Sequence, residues 1–152
     1  MHETIIKKLL DYIREDNPEL LFQLEEEGKL FSYLDDKISQ VDSLLNKPRK
    51  DQPEYIVEEA CMDILTQDLR PSRYNYICGV LEDEFPTTYH QLQNEGTLQF
   101  EVINLITFCQ PAFDAIGFTE ANEDDSLLRS AITGTINNYI DNSEEGMLPA
   151  GR

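Results

Sequence analysis

The chain has 152 residues, with 12 Lys or Arg against 30 Asp or Glu, and therefore a formal charge of −18. Its length suits one domain, and its 40% of apolar residues can form a core, which excludes a disordered chain. It holds no run of 18 apolar residues, and charges interrupt the first twenty positions from Glu3 to Asp16, so we expect neither a membrane span nor a secretory signal.

Apolar residues recur in neighbouring pairs every four positions, the spacing of amphipathic helices. A first helix carries the stripe from Ile5 to Ile13 and ends at Asn17-Pro18. Gly28 then separates a short helix from a longer one, whose stripe covers residues 30–45. A loop bracketed by Pro48 and Pro53 follows, and a helix begins near Pro53 with the pairs Ile56/Val57, Ala60/Cys61 and Ile64/Leu65.

Proline and glycine residues also mark the predicted helix ends in the second half of the chain. Pro71 opens a helix that Phe85-Pro86 closes, and Gly96 is a candidate helix C-cap. The stretch 97–109 is apolar on more than one face, so we expect a central helix there, ended or kinked by Pro111. Residues 117–126 are interpreted as a loop, 127–140 as the most regular stripe, and 142–152 as a polar tail. Alternation with period two is almost absent, and the sequence predicts an all-α protein.

Gly134 is the most unusual local feature, because a glycine inside a helix costs about 1 kcal/mol relative to alanine. Close approach of another helix is the favoured reason, with Gly79 as a small-residue partner. A ligand pressed against bare backbone is the alternative.

Two stretches match at an offset of 68 residues without gaps. Residues 18–30 (PELLFQLEEEGKL) and 86–98 (PTTYHQLQNEGTL) share six identities. We interpret the chain as one compact domain, 1–141, made of two similar helical repeats, about 1–70 and 71–141. Each repeat is expected to be unable to bury its apolar face alone, which implies pseudo-two-fold packing of one on the other.

The negative net charge of the chain limits the classes of partner that it can bind. The one basic cluster, Lys47, Arg49 and Lys50, is interpreted as a solvated loop, with contact to a partner as the alternative. Three cations beside Asp51 do not supply the six to ten phosphate contacts typical of duplex binding, so no direct nucleic-acid binding is expected.

Few side chains in the sequence are candidates for catalysis or for metal binding. Cys61, Cys78 and Cys109 are widely spaced in apolar surroundings and indicate reduced core thiols in a cytoplasmic protein. His90 has no HExxH-type partner, and a Cys78–His90 nucleophile has nothing in the sequence to order it. Glu59 and Asp63 have the i, i+4 spacing of a shared cation site but no accompanying Glu-x-x-His. Gly-rich phosphate loops are absent, so no metal, cofactor or catalytic residue is predicted.

Several of these segments resemble one family. LDYIREDNP at 10–18, SRYNYI at 72–77, VLEDEF at 80–85, TGTI at 133–136 and Tyr139-Ile140 span most of the chain. They resemble a bacterial all-helical family of unknown function from Bacteroides- and Porphyromonas-type anaerobes, often encoded on conjugative or other mobile elements. Glu82 departs from the family pattern, in which an aromatic residue is commoner there. The resemblance implies an all-helical cytosolic protein and transfers no catalytic residues.

The sequence therefore favours a non-enzymatic interaction or scaffold module, as a mobile-element accessory, that binds another protein or itself as a homodimer. One alternative is an acidic DNA mimic that inhibits a nucleic-acid-binding protein. The other is an enzyme with an unrecognised carboxylate or Cys site.

Overall fold

The computed structural model describes residues 2–46 and 52–142, and every regular element within these ranges is helical. The predicted all-α class is therefore confirmed. The chain divides into two compact units, Met1–Arg70 and Pro71–Arg152, at the position where the two predicted repeats meet.

In its described residues, 2–46 and 52–70, the first unit contains four α-helices followed by a short 3-10 turn. They are α1 (His2–Asp16), α2 (Pro18–Glu27), α3 (Leu30–Asn46), α4 (Glu54–Leu65) and the turn Gln67–Leu69. Pro18 stands in the first turn of α2, where its missing N–H costs no hydrogen bond. Gly28 ends α2 in the left-handed conformation, with φ of 66°, which glycine adopts without a steric penalty. The helix boundaries predicted at Pro18 and Gly28 are therefore confirmed.

The core of the first unit is formed by one stripe from each of α1, α3 and α4. Each stripe places apolar residues three or four positions apart, as the sequence predicted. The nine buried side chains are Ile5, Leu9, Ile13, Leu34, Ile38, Val41, Val57, Cys61 and Leu65.

The second unit also has four helices: α5 (Arg73–Glu84), α6 (Pro86–Glu95), α7 (Leu98–Ile116) and α8 (Ser126–Asn142). Pro71 does not open α5 itself; Ser72 is the N-cap, and its Oγ accepts a hydrogen bond of 3.0 Å from the Asn75 backbone N–H. The predicted ends at Pro86 and Gly96 and the loop before α8 are confirmed.

Pro111 lies inside α7 and does not end it, which corrects one of the two expectations at this position. The helix continues for five residues beyond the proline to Ile116 and stops at Gly117, where φ is 92°. The last turns carry Phe113, which is almost completely buried against Tyr76 and Phe118. Burial of this aromatic side chain offsets the hydrogen bond that proline removes from the helix.

The second unit has its own core, to which α7 contributes the largest share. The eleven buried residues are Ile77, Val80, Leu81, Val102, Leu105, Ile106, Cys109, Phe113, Leu128, Ile132 and Ile136. Five of them come from α7, which packs against α5, α6 and α8 and is therefore central within its own unit. Because each unit buries an apolar cluster of its own, the expectation that neither repeat can do so alone is wrong. In the first unit, for example, three of the four helices each contribute an apolar stripe to one shared core.

The two units follow the same local plan at the predicted offset of 68 residues. Helices α2 and α6 begin at Pro18 and Pro86, and both end at a left-handed glycine, with φ of 66° at Gly28 and 73° at Gly96. The residues before the two prolines have nearly the same backbone angles, φ −135° with ψ 54° and 55°. Duplication of one ancestral unit and pseudo-two-fold packing stay predictions.

None of the helices in residues 2–46 and 52–142 combines the length and the apolar character that crossing a bilayer requires.

Candidate functional site

The three cysteines are free thiols, and their surroundings make them poor nucleophiles. Burial raises the pKa of Cys78 and of Cys109 to about 11, and it also raises the pKa of Cys61. A nucleophilic cysteine needs the thiolate, which is favoured by a lowered pKa. Cys78 is hydrogen-bonded to Tyr74, and His90 is exposed on α6 with its ring edge-on to Tyr89. The geometry therefore gives the hypothetical Cys78–His90 pair no support.

In the part of the chain that the structure describes, one carboxylate is buried, and a tyrosine hydroxyl donates a hydrogen bond to it. Glu101 on α7 is 5% exposed, and its Oε1 accepts a hydrogen bond of 2.8 Å from the Tyr139 hydroxyl on α8. Burial, followed by this contact, raises the pKa of Tyr139 to about 12. The pair links α7 to α8 inside the second unit and is interpreted as a structural contact.

The other buried charge is Lys37 on α3, which lies at the end of α4. Its Nζ donates to the Leu65 carbonyl at 3.3 Å and to Asp68 Oδ1 at 2.8 Å. A cation at the carboxyl end of a helix satisfies the last carbonyls and opposes the negative end of the helix dipole. Nearby, Asn17 Nδ2 donates to the Leu69 carbonyl at 3.3 Å. These contacts fasten the 3-10 turn to the first unit.

Glu59 and Asp63, which have the spacing of a shared cation site, lie on the exposed side of α4. Asp63 Oδ1 accepts a hydrogen bond of 3.0 Å from Arg70, so one of the two carboxylates already faces a cation. Within the ranges that the structure describes, no three His, Cys, Asp or Glu side chains form a group able to hold a metal ion.

The two glycines assigned to close helix packing do not serve it. Among the described residues, a Cβ placed on Gly134 or on Gly79 would meet no heavy atom within 4 Å outside its own helix. Gly134 is exposed on α8, in a groove of about 560 Å³ that Arg129 and Asn137 also line. The expectation of close packing is wrong because no group of the described residues lies against the backbone of either glycine.

The hypothetical basic contact of Lys47, Arg49 and Lys50 lies outside the described residues.

The most distinctive surface is the outer side of α4. Eight large hydrophobic side chains are exposed among the described residues, and three of them, Tyr55, Ile56 and Ile64, lie within the twelve residues of this helix. Tyr55 is 62% exposed, Ile56 38% and Ile64 41%. The helix is thus apolar on a second side besides its core stripe, which is typical of a helix that packs on two sides.

Two neighbouring rows make up this outer side, each with the i, i+4, i+8 spacing of a helix face. The first row is Ile56, Ala60 and Ile64, and the second row is Tyr55, Glu59 and Asp63; all six residues are exposed. We name these six residues the α4 ridge. The rows lie side by side because each residue of the second precedes one of the first by a single position, about 100° of rotation.

A groove of about 650 Å³ runs beside the α4 ridge, between α4 and α1. Lys8 and Tyr12 of α1 line one wall, and Met62 of α4 and the C-cap residue Thr66 line the other. Lys8 Nζ lies 3.3 Å from Glu58 Oε1 across it. Lys8 is paired with Glu58 and Arg70 with Asp63, so the groove offers a contact surface and does not present converging groups for catalysis.

The α4 ridge was missed by the sequence analysis, although a signal was present. Ile56/Val57, Ala60/Cys61 and Ile64/Leu65 were assigned together to one buried face. Only Val57, Cys61 and Leu65 are buried. The sequence shows two adjacent apolar rows on this helix, and it does not distinguish the buried row from the exposed one.

Comparisons of the chain with protein-family models, with curated proteins and with solved structures find no match.

Proposed function

We propose that this chain is a non-enzymatic interaction module whose helical units hold a surface for another protein. The observation that carries the proposal is the α4 ridge, where a helix that already supplies part of a core exposes further large apolar side chains. Isolated exposed apolar residues are ordinary on protein surfaces, whereas a cluster spaced along one helix face is typical of binding sites.

The chemistry of the reactive side chains supports a binding role. The thiols have raised pKa values, the buried carboxylate is held by Tyr139, and two carboxylates at the α1–α4 groove, Glu58 and Asp63, face cations. We place the activity in the cytoplasm, because three free thiols are typical of a reducing compartment. The resemblance to proteins of conjugative elements makes an accessory role in such an element part of the proposal.

Affinity capture from the native cells at two salt concentrations tests the proposal. At about 1 M salt the Debye length is about 3 Å, so a partner held by apolar contact remains bound while purely electrostatic complexes dissociate. We expect at least one partner to be recovered at both concentrations. Recovery of no partner at either concentration would contradict an interaction role and would favour an enzyme.

An acidic DNA mimic is the second candidate, and the charge of −18 favours it. Such a protein binds through carboxylates that replace phosphates, and the affinity of its partner falls steeply with salt. Two results together would support the mimic. The partner would be recovered at low salt alone, and chains with and without the apolar residues of the α4 ridge would recover it equally.

A further inference from the structure

We propose that the α4 ridge binds a cationic amphipathic helix of another protein. This inference rests on the proposed function and adds the surface and the chemistry of the partner. It combines the spacing of the two rows with the charges around them.

The apolar row fits the anchors of a helix. Ile56 and Ile64 are eight residues apart, which corresponds to about 12 Å along the axis of α4. Ala60 stands between them and leaves a shallow depression that a larger side chain can enter. Helices that lie on apolar surfaces present anchors at i, i+3 or i+4 and i+7, which cover a similar length of about 10.5 Å.

The second row selects positive charge. Glu59 and Asp63 are exposed beside Ala60 and Ile64, and Tyr55 offers an exposed ring at the amino-terminal end of the row. Carboxylates pair with Lys or Arg, and a tyrosine ring face attracts the same cations. Asp63 is already paired with Arg70, so an occupant with Lys or Arg along one edge of its apolar face meets Glu59 and the Tyr55 ring as its complementary groups.

The charges around the α4 ridge favour the same occupant. Among the described residues that line the α1–α4 groove, Lys8 is paired with Glu58 and Arg70 with Asp63, which leaves Glu59 as the excess negative charge. The whole chain carries −18. Attraction between oppositely charged surfaces speeds encounter and excludes acidic partners.

A second copy of the chain fits the surface poorly. In a two-fold contact the same patch meets itself, so the carboxylates of one α4 ridge would approach those of the other. An anionic membrane surface is repelled for the same reason, since juxtamembrane attraction needs clusters of Lys or Arg. Both remain outcomes of the test.

The test is a calorimetric titration of the full chain with three synthetic 18-residue peptides. The first carries Leu at i, i+4, i+7 and i+11 with Lys beside them; the second is a scrambled isomer of the same composition; the third replaces Lys by Glu. We expect the patterned Lys peptide to bind at least about tenfold more tightly than the scrambled isomer, because only the former buries the two exposed Ile side chains. The Glu peptide should not bind.

Matched variants place the binding on the α4 ridge. The double change Ile56→Gln and Ile64→Gln should weaken binding by at least about tenfold, whereas Leu127→Gln, at a side chain 64% exposed in the second unit, should change it less than about twofold. Glu59→Gln should weaken binding about two- to fivefold, the range for an exposed ion pair, while Glu26→Gln on α2 should have no effect. Unchanged thermal unfolding would show that each variant is folded.

Three results would overturn the inference: equal binding of patterned and scrambled peptides, equal losses at Leu127 and at the α4 ridge, or concentration-dependent dimerisation that the Ile variants abolish. Failure of the proposed function is distinguishable. If the Ile variants still capture the cellular partner, the interaction role stands and the α4 ridge is the wrong surface. If the unaltered chain captures no partner at all, the interaction role itself fails.

Discussion

Replacement of Gly134 by alanine should make the protein more stable. Gly134 lies at the middle of α8, with eight helical residues on each side, and its side-chain position is open. Gly134 is not among the glycines with positive φ, so alanine adopts the same backbone without strain. Alanine restricts the unfolded chain and favours the helix, which is worth about 1 kcal/mol at an exposed interior position.

The size of the effect can be read from unfolding curves. A gain of about 1 kcal/mol in the free energy of unfolding corresponds to a rise of about 4–8 °C in Tm for a unit of 60–100 residues. Urea denaturation followed by helical circular dichroism measures the same gain as a higher midpoint with an unchanged slope. Gly79→Ala, in the interior of α5 with equally open space, should stabilise by a similar amount.

Gly96→Ala is the matched control, since it adds the same methyl group in a different conformation. Gly96 has φ of 73°, where an L-residue costs about 1–2 kcal/mol, so this variant should be destabilised. If the same added methyl group stabilises the protein at Gly134 and destabilises it at Gly96, the difference is due to backbone conformation and not to packing. A loss of stability in Gly134→Ala would refute the reasoning, because it would mean that another group lies against the bare backbone of α8.

Two further predictions concern the buried polar groups. Asp68→Asn should lower the free energy of unfolding by about 1–2 kcal/mol, because it leaves the buried Lys37 ammonium without its counter-ion. Asp63→Asn, in an exposed pair with Arg70, should change it by less than about 0.5 kcal/mol; equal effects in urea titrations would contradict the assigned role of Lys37. Stability should also fall as pH rises from about 10 towards 12, since the fold holds three phenols neutral that ionise near pH 10 in the unfolded chain. Tyrosinate absorbance should then appear together with the loss of helix, and ionisation of all tyrosines near pH 10 in a fully helical chain would exclude this coupling. The three phenols, with pKa values of about 12, are those of Tyr33, Tyr74 and Tyr139.

The sequence predicts the helices well because their ends are determined locally. Pro18 and Pro86 cannot continue the preceding helix, and Gly28 and Gly96 adopt the left-handed conformation that ends the next one. Such signals act through adjacent residues, so they can be recognised without knowledge of the packing. Pro111 shows the limit of this approach, since burial of Phe113 maintains the helix beyond it.

Features that depend on tertiary contacts could not be predicted in the same way. Lys37 and Glu101 belong to residue types that are usually exposed, and their burial depends on Leu65, Asp68 and Tyr139, which are distant in sequence. The open space at Gly134 depends equally on what other helices leave uncovered. For α4 the sequence gives two adjacent apolar rows, and only the packed structure decides which of them is buried.

Photo-cross-linking from the centre of the α4 ridge tests the central claim most directly. A benzophenone amino acid placed at Ala60, which is exposed, would be activated in intact native cells and compared with the same group at Leu127 of the second unit. We predict a covalent adduct from position 60 alone, attached to a segment of another protein that is helical, apolar on one face and rich in Lys or Arg. Adducts from position 127 with none from position 60, or attachment at position 60 to an acidic segment, would contradict the proposed binding surface.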